Sequence, residues 1–82
     1  TKFSPQIVMV NRGEEVRFVN KTDQSMRIVS DTFQNVPIYP EFNQEKTVGK
    51  GGTYSIIFTR AGVWGYHNLN ATEGVVGIVN VR

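Results

Sequence analysis

No cysteine occurs among the 82 residues, and histidine occurs once, at His67. The first absence excludes a disulfide framework and all thiolate chemistry, whether as nucleophile or as metal ligand. The second leaves nucleophilic hydrolysis unsupported, because no motif pairs the lone imidazole with a nucleophile and an orienting carboxylate. Long apolar runs are missing too: nothing approaches the roughly 18 residues that cross a membrane as a helix. No segment keeps a helical period over about ten residues. The 9 Lys and Arg stand singly against 7 Asp and Glu, a net charge of +2. That spread lacks the basic stripe by which nucleic-acid binders are read. Asp23, Asp31, Glu41 and Glu45 do not have the spacing of a calcium loop. Glu14 and Glu15 are neighbours on an extended chain, so they face opposite ways and read as a solvated turn.

What is present is a run of short strand patterns. "QIVMVNRGEEVRFVNKT" gives strands over 6–11 and 15–20 around a turn at Arg12–Gly13. "SMRIVSD" gives a third. "TFQNVPIYPEFNQ" holds two of the three prolines and reads as an irregular crossing with at most short strand pieces. After the glycine turn of "EKTVGKGG", "TYSIIFT" alternates Tyr54, Ile56 and Phe58 against Ser55, Ile57 and Thr59. "VWGYHN" sets Trp64, Tyr66 and Asn68 on one face and Val63, Gly65 and His67 on the other, and "VVGIVNV" closes the chain. About seven short strands with turns roughly every ten residues predict an all-β sandwich in a single domain over 1–82. Phe18, Phe58 and Trp64 are its expected core aromatics. Phe33, Ile38, Tyr39 and Phe42 read as a cap on that core, with a partner or ligand patch as the alternative. The "NKT" and "NAT" triplets at Asn20 and Asn70 match the glycosylation sequon but are common by chance.

Three stretches in order resemble the cupredoxin family, the fold of plastocyanin, amicyanin and azurin. "FSPQIVMVNRGEEVRFVNKT" is similar to that family's opening strand pair. "GGTYSIIFTRAGVWGYHN" is similar to its G-x-S-Y-x-F-x-F-x-x-x-G-x-Y-x-Y-x-C run, and "GVVGIVNV" to its M-x-G-x-(I/V)-x-V ending. The resemblance implies a cupredoxin-like Greek-key β-sandwich. It also implies a type 1 copper site, which takes two imidazoles, a thiolate and a weak axial thioether. Carried over by count, the four ligand places fall on Met26, Asn68, Ala71 and Val75. None of these is His or Cys, so no metal and no cofactor is expected. The alternative is a weak noncanonical copper(II) site involving His67, with Met26 as its other candidate. Strand alternation points His67 away from the ligand face.

The expectation that follows is a non-enzymatic, metal-free binding or structural module. The resemblance places it outside the cytoplasm, in a periplasm or secreted, and the opening "TKFSPQ" without Met is how a mature exported protein or an excised domain begins. A partner protein or domain would meet the loops over 21–25 and 69–75. The alternative is a copper-binding or electron-transfer protein with the weak His67 site.

Overall fold

The computed structural model describes residues 3, 5–71 and 76–82. β1 (Ile7–Val10) and β2 (Glu15–Val19) are joined by a turn in which Gly13 takes φ 89, a conformation that a Cβ disfavours. β3 (Ile28–Ser30) leads into two short pieces, β4 (Thr32–Phe33) and β5 (Val36–Pro37). β6 (Thr53–Ile57), β7 (Gly62–Asn68) and β8 (Val76–Val81) complete the chain. Four strands form one sheet in the order β1-β8-β7-β3, with β1 parallel to β8 and the other pairs antiparallel. β2 and β6 form a second, antiparallel sheet. Bridges from Met26 to Val48 and from Val29 to Asn43 lay the 43–48 segment along the outer edge of β3. The architecture is the all-β sandwich that the strand patterns predict, with eight strands among the described residues where about seven are expected.

Period-2 alternation places the core. In β2, Val16 and Phe18 are buried while Glu15, Arg17 and Val19 are exposed. In β8, Val79 and Val81 are buried beside Gly77. Rings from both sheets meet between the layers: Phe18 and Tyr66 lie edge to face at 5.0 Å, and Phe42 meets Phe58 at 5.0 Å and Tyr66 at 5.5 Å. Such contacts add to what area burial contributes. Gly77, opposite Tyr66 in the β7–β8 register, is where the phenol end lies, and a Cβ there would collide with it.

The segment read as a cap divides. Tyr39 and Phe42 are fully buried at the centre of the core. Phe33 and Val36, 68% and 63% exposed, face each other across a two-residue hairpin, and Ile38 is exposed beside them. Gln34 and Asn35 in that turn have φ of 52 and 67, the mirror-image turn that fits the twist of a β-hairpin. Trp64 faces inward as its strand phase requires, yet it is only half-buried and sits at the rim. Its indole N–H donates to the Arg60 carbonyl at 3.0 Å and Tyr39 packs edge-on at 4.9 Å. The Arg60 guanidinium lies 4.2 Å from the Tyr39 ring. The centre therefore belongs to Phe42, which the irregular segment delivers.

Two outcomes follow. Phe42→Ala is expected to cost about 3–5 kcal/mol, and Trp64→Ala distinctly less, because large-to-small losses follow burial; urea unfolding followed by far-UV circular dichroism compares them. Burial pushes the Tyr66 phenol up to about 12. Its stabilising contribution is fully present below the ordinary phenol value of about 10 and is lost as pH rises towards 12, by about 1.4 kcal/mol per pH unit. Melting temperatures between pH 9 and 12 are expected to fall less steeply in Tyr66→Phe.

Candidate functional site: the loop end of the sandwich

Three side-chain amides organise the end of the sandwich where β2 runs out and β7 begins its loop. Asn20, buried at the end of β2, donates to the Gln24 carbonyl at 2.7 Å and accepts from the Thr22 N–H and hydroxyl at 3.0 and 2.7 Å. This closes the 21–25 loop on itself. Such an Asx-type closure is local, and it buries the Asn20 amide that a glycan would need. Gln44, also buried, donates to the Met26 and Lys46 carbonyls at 3.1 and 2.8 Å and accepts from the Ile28 N–H at 2.8 Å. Asn68 ends β7. Its Oδ1 accepts from the Arg27 N–H at 2.9 Å and the Asn70 N–H at 3.1 Å, and its Nδ2 donates to the Ser25 carbonyl at 3.2 Å. The amide therefore grips the backbone on both sides of Met26, whose own side chain is buried.

His67 lies on the other face of β7. Its Nδ1 is 2.8 Å from Asp31 Oδ1. Asp31 reaches it over Gly65, where a Cβ would collide with the carboxylate. The outer face around this pair carries Ile7, Met9, Val63, Val76 and Ile78, all exposed. Nothing in the sequence marks Asp31 as the partner of His67, 36 positions away; the glycine between Val63 and His67 is the one hint that another side chain crosses that place.

The arrangement of strands has known counterparts. A purple cupredoxin from Nitrosopumilus maritimus superposes with a TM-score of 0.79 at 22% identity, over 99% of this chain and 82% of that one. A reduced amicyanin variant gives 0.77 at 22% identity, over 99% and 73%. The fold is the cupredoxin fold. A copper-containing nitrite reductase from Thermus scotoductus contains the same arrangement, with a TM-score of 0.79 and 24% identity, but this chain spans only 20% of its length. No protein-family model matches the sequence, and no curated protein does.

On this cupredoxin fold, the four places counted as ligand positions separate as follows. Met26 and Asn68 come together, joined by the hydrogen bonds just described. Ala71 is half-buried in the turn that follows, its N–H donating to the Asn68 carbonyl at 3.1 Å. Val75 lies outside the described residues. The donors present do not fit the copper centre that the resemblance implies. Both polar atoms of the Asn68 amide are already bonded to backbone, no thiol exists, and His67 is held by Asp31 on the opposite face. Among the described residues, no three of His, Cys, Asp and Glu cluster so as to hold a metal. Asn20 and Gln44 are the determinants that sequence reading passed over. Removing the Asn68 amide leaves the Arg27 N–H and the Ser25 carbonyl without their partner. Asn68→Ala is expected to cost about 1–3 kcal/mol and to speed amide exchange at Arg27, as hydrogen-exchange NMR would show.

Proposed function

We propose that this domain is a metal-free binding or structural module on a cupredoxin fold, working outside the cytoplasm, with the loop end as its contact surface. The observation that carries the reading is the Asn68 amide, bonded at once to Ser25, Arg27 and Asn70 in the place counted for the thiolate. An amide satisfied by backbone closes the loop end without the charge compensation that a buried metal would bring. We assign the domain no catalytic role. The extracytoplasmic setting is supported by the resemblance to the cupredoxins. No helix among the described residues is long and apolar enough to cross a membrane.

A second reading has one observation in its favour. Asp31 holds Nδ1 of His67, the kind of outer hydrogen bond that orients an imidazole toward a metal through its other nitrogen. It would make His67 a weak copper(II) ligand on the sheet face, far from any thiolate chemistry. Copper titration separates the two readings. The metal-free reading expects the same melting temperature with copper, with chelator and with neither, because no ligand set exists to collect binding energy. A stoichiometric copper(II) signal in electron paramagnetic resonance that His67→Ala abolishes would establish the second reading instead.

A further inference from the structure

β6 is an edge strand. One step beyond its ladder with β2, the Asn20 N–H donates to the Gly52 carbonyl at 2.9 Å. Hydrogen-bonded pairs recur every two residues along an antiparallel ladder. Tyr54 and Ile56 therefore turn their backbone toward Phe18 and Val16, and Thr53, Ser55 and Ile57 send their N–H and C=O groups out of the opposite side. The sheet has two strands, and among the described residues no backbone group bonds to those outward groups. The side chains of Thr53, Ser55 and Ile57 are exposed, Ile57 at 54%, while Tyr54 and Ile56 are half-buried. Edges are commonly kept from pairing by a charge, a proline or a covering segment. The 43–48 segment covers the outer edge of β3, and β2 carries Glu15 and Arg17. β6 has neither charge nor proline from Thr53 to Ile57.

We propose that β6 pairs with β6 of a second copy of this chain, antiparallel across a two-fold axis at Ser55, joining the two small sheets into one of four strands. This surface is separate from the loop end and does not rest on the metal-free reading. The edge is committed to its own copy because its sequence is self-complementary in that register. On the outer face Ser55 meets its own counterpart, and Thr53 lies opposite Ile57 on both sides of the axis. On the inner face Tyr54 lies opposite Ile56, again twice, an aromatic and β-branched pair of the kind that stabilises a sheet. The outward groups of Thr53, Ser55 and Ile57 make about six main-chain bonds over roughly 17 Å. Moving the axis to Tyr54 sets Ile56 opposite Gly52, and moving it to Ile56 sets Thr53 opposite Thr59, outside the strand. Either shift uses fewer of the five residues. Charge does not oppose the pairing. Glu15 and Arg17 lie one strand back and are paired with each other at 3.6 Å. Like charges on the two β2 strands stand three strand spacings apart, roughly 14 Å, beyond the screening length of about 8 Å. Lys50 and Arg60, beyond the two ends of β6, fall opposite each other, but each already has a carboxylate, Asp23 at 3.4 Å and Glu41 at 2.9 Å. A seam one strand wide belongs to the small, transient class of interfaces, below about 1,200 Å2.

The test is a dilution series of the isotope-labelled chain at low salt, read by sedimentation velocity and by amide exchange. Average mass is expected to rise with concentration. Exchange at Thr53, Ser55 and Ile57 is expected to slow severalfold over the same series, while Tyr54 and Ile56, already bonded to β2, stay constant. Ser55→Lys and Ser55→Glu each set like charges opposite on the axis and are expected to weaken self-association about fivefold. Their melting temperatures are expected to be unchanged, because the side chain is exposed. An equimolar mixture of the two variants is expected to associate at least as well as the unaltered chain. A chain that stays monomeric at every concentration would overturn the proposal, even if a strand of foreign sequence then bound β6. So would slowing that maps instead to Ile7, Met9 and Val63 on the larger sheet, unchanged association in both variants, or a mixture that associates no better than either variant alone. Should a variant fail to fold, the alternation of exchange along β6 in the unaltered chain still decides. Copper titration reads none of these, so this proposal and the metal-free reading fail separately.

Discussion

The structure depends on satisfying buried backbone at its loop end with side-chain amides. Two loops and the ends of β2, β3 and β7 meet there, and their backbone groups cannot all pair with one another. An unpaired buried amide or carbonyl costs about as much as several favourable contacts contribute. Asn20, Gln44 and Asn68 resolve this by bonding to backbone at Gln24, at Met26 and Ile28, and at Ser25 and Arg27. Each amide carries both donor and acceptor, so one residue can close two ends of a gap. A thiolate and imidazoles organised by a metal would hold the same region by charge. Here neutral groups do it, and Met26 fits among them as an apolar filler.

Below this end, the aromatic core fixes how the layers meet. Phe42 arrives from outside any regular strand and meets Phe18, Tyr54, Phe58 and Tyr66. Gly77 admits Tyr66, and Gly65 admits the Asp31 carboxylate on the other face of the same sheet. These two glycines are positions where a neighbouring strand must leave space. Tyr39 links the core to the rim: its hydroxyl accepts from the Thr59 N–H at 3.1 Å. Burial raises its phenol, but the Thr59 hydrogen bonds and the nearby Arg60 guanidinium outweigh it, so the group titrates below its ordinary value.

The core leaves several apolar side chains uncovered. The end of β2 adjoins the 21–25 loop that Asn20 holds closed. The outer face of the larger sheet, with Ile7, Met9, Val63 and Ile78 exposed around the His67–Asp31 pair, is one such apolar surface, and the hairpin of Phe33 and Val36 is another.

The sequence by itself determined the class of fold, most strand positions and the inward faces. Those features are local: side chains alternate every two residues along a strand, so Val16 and Phe18, or Tyr66 and Asn68, declare their side from their spacing alone. It also determined that no thiolate chemistry is available, since composition needs no coordinates. Tertiary structure decided which residues form the centre and which close the loop end. Phe42 and Tyr39 lie in a stretch without period, and nothing local separates them from Phe33, which is exposed. Gln44 is an ordinary polar residue in the sequence, and Asn20 and Asn68 are marked there by a triplet and by a count, not by what they bond to. Their importance comes from partners up to 43 positions away, as from Asn68 to Ser25, and only the folded chain brings such partners within hydrogen-bonding distance.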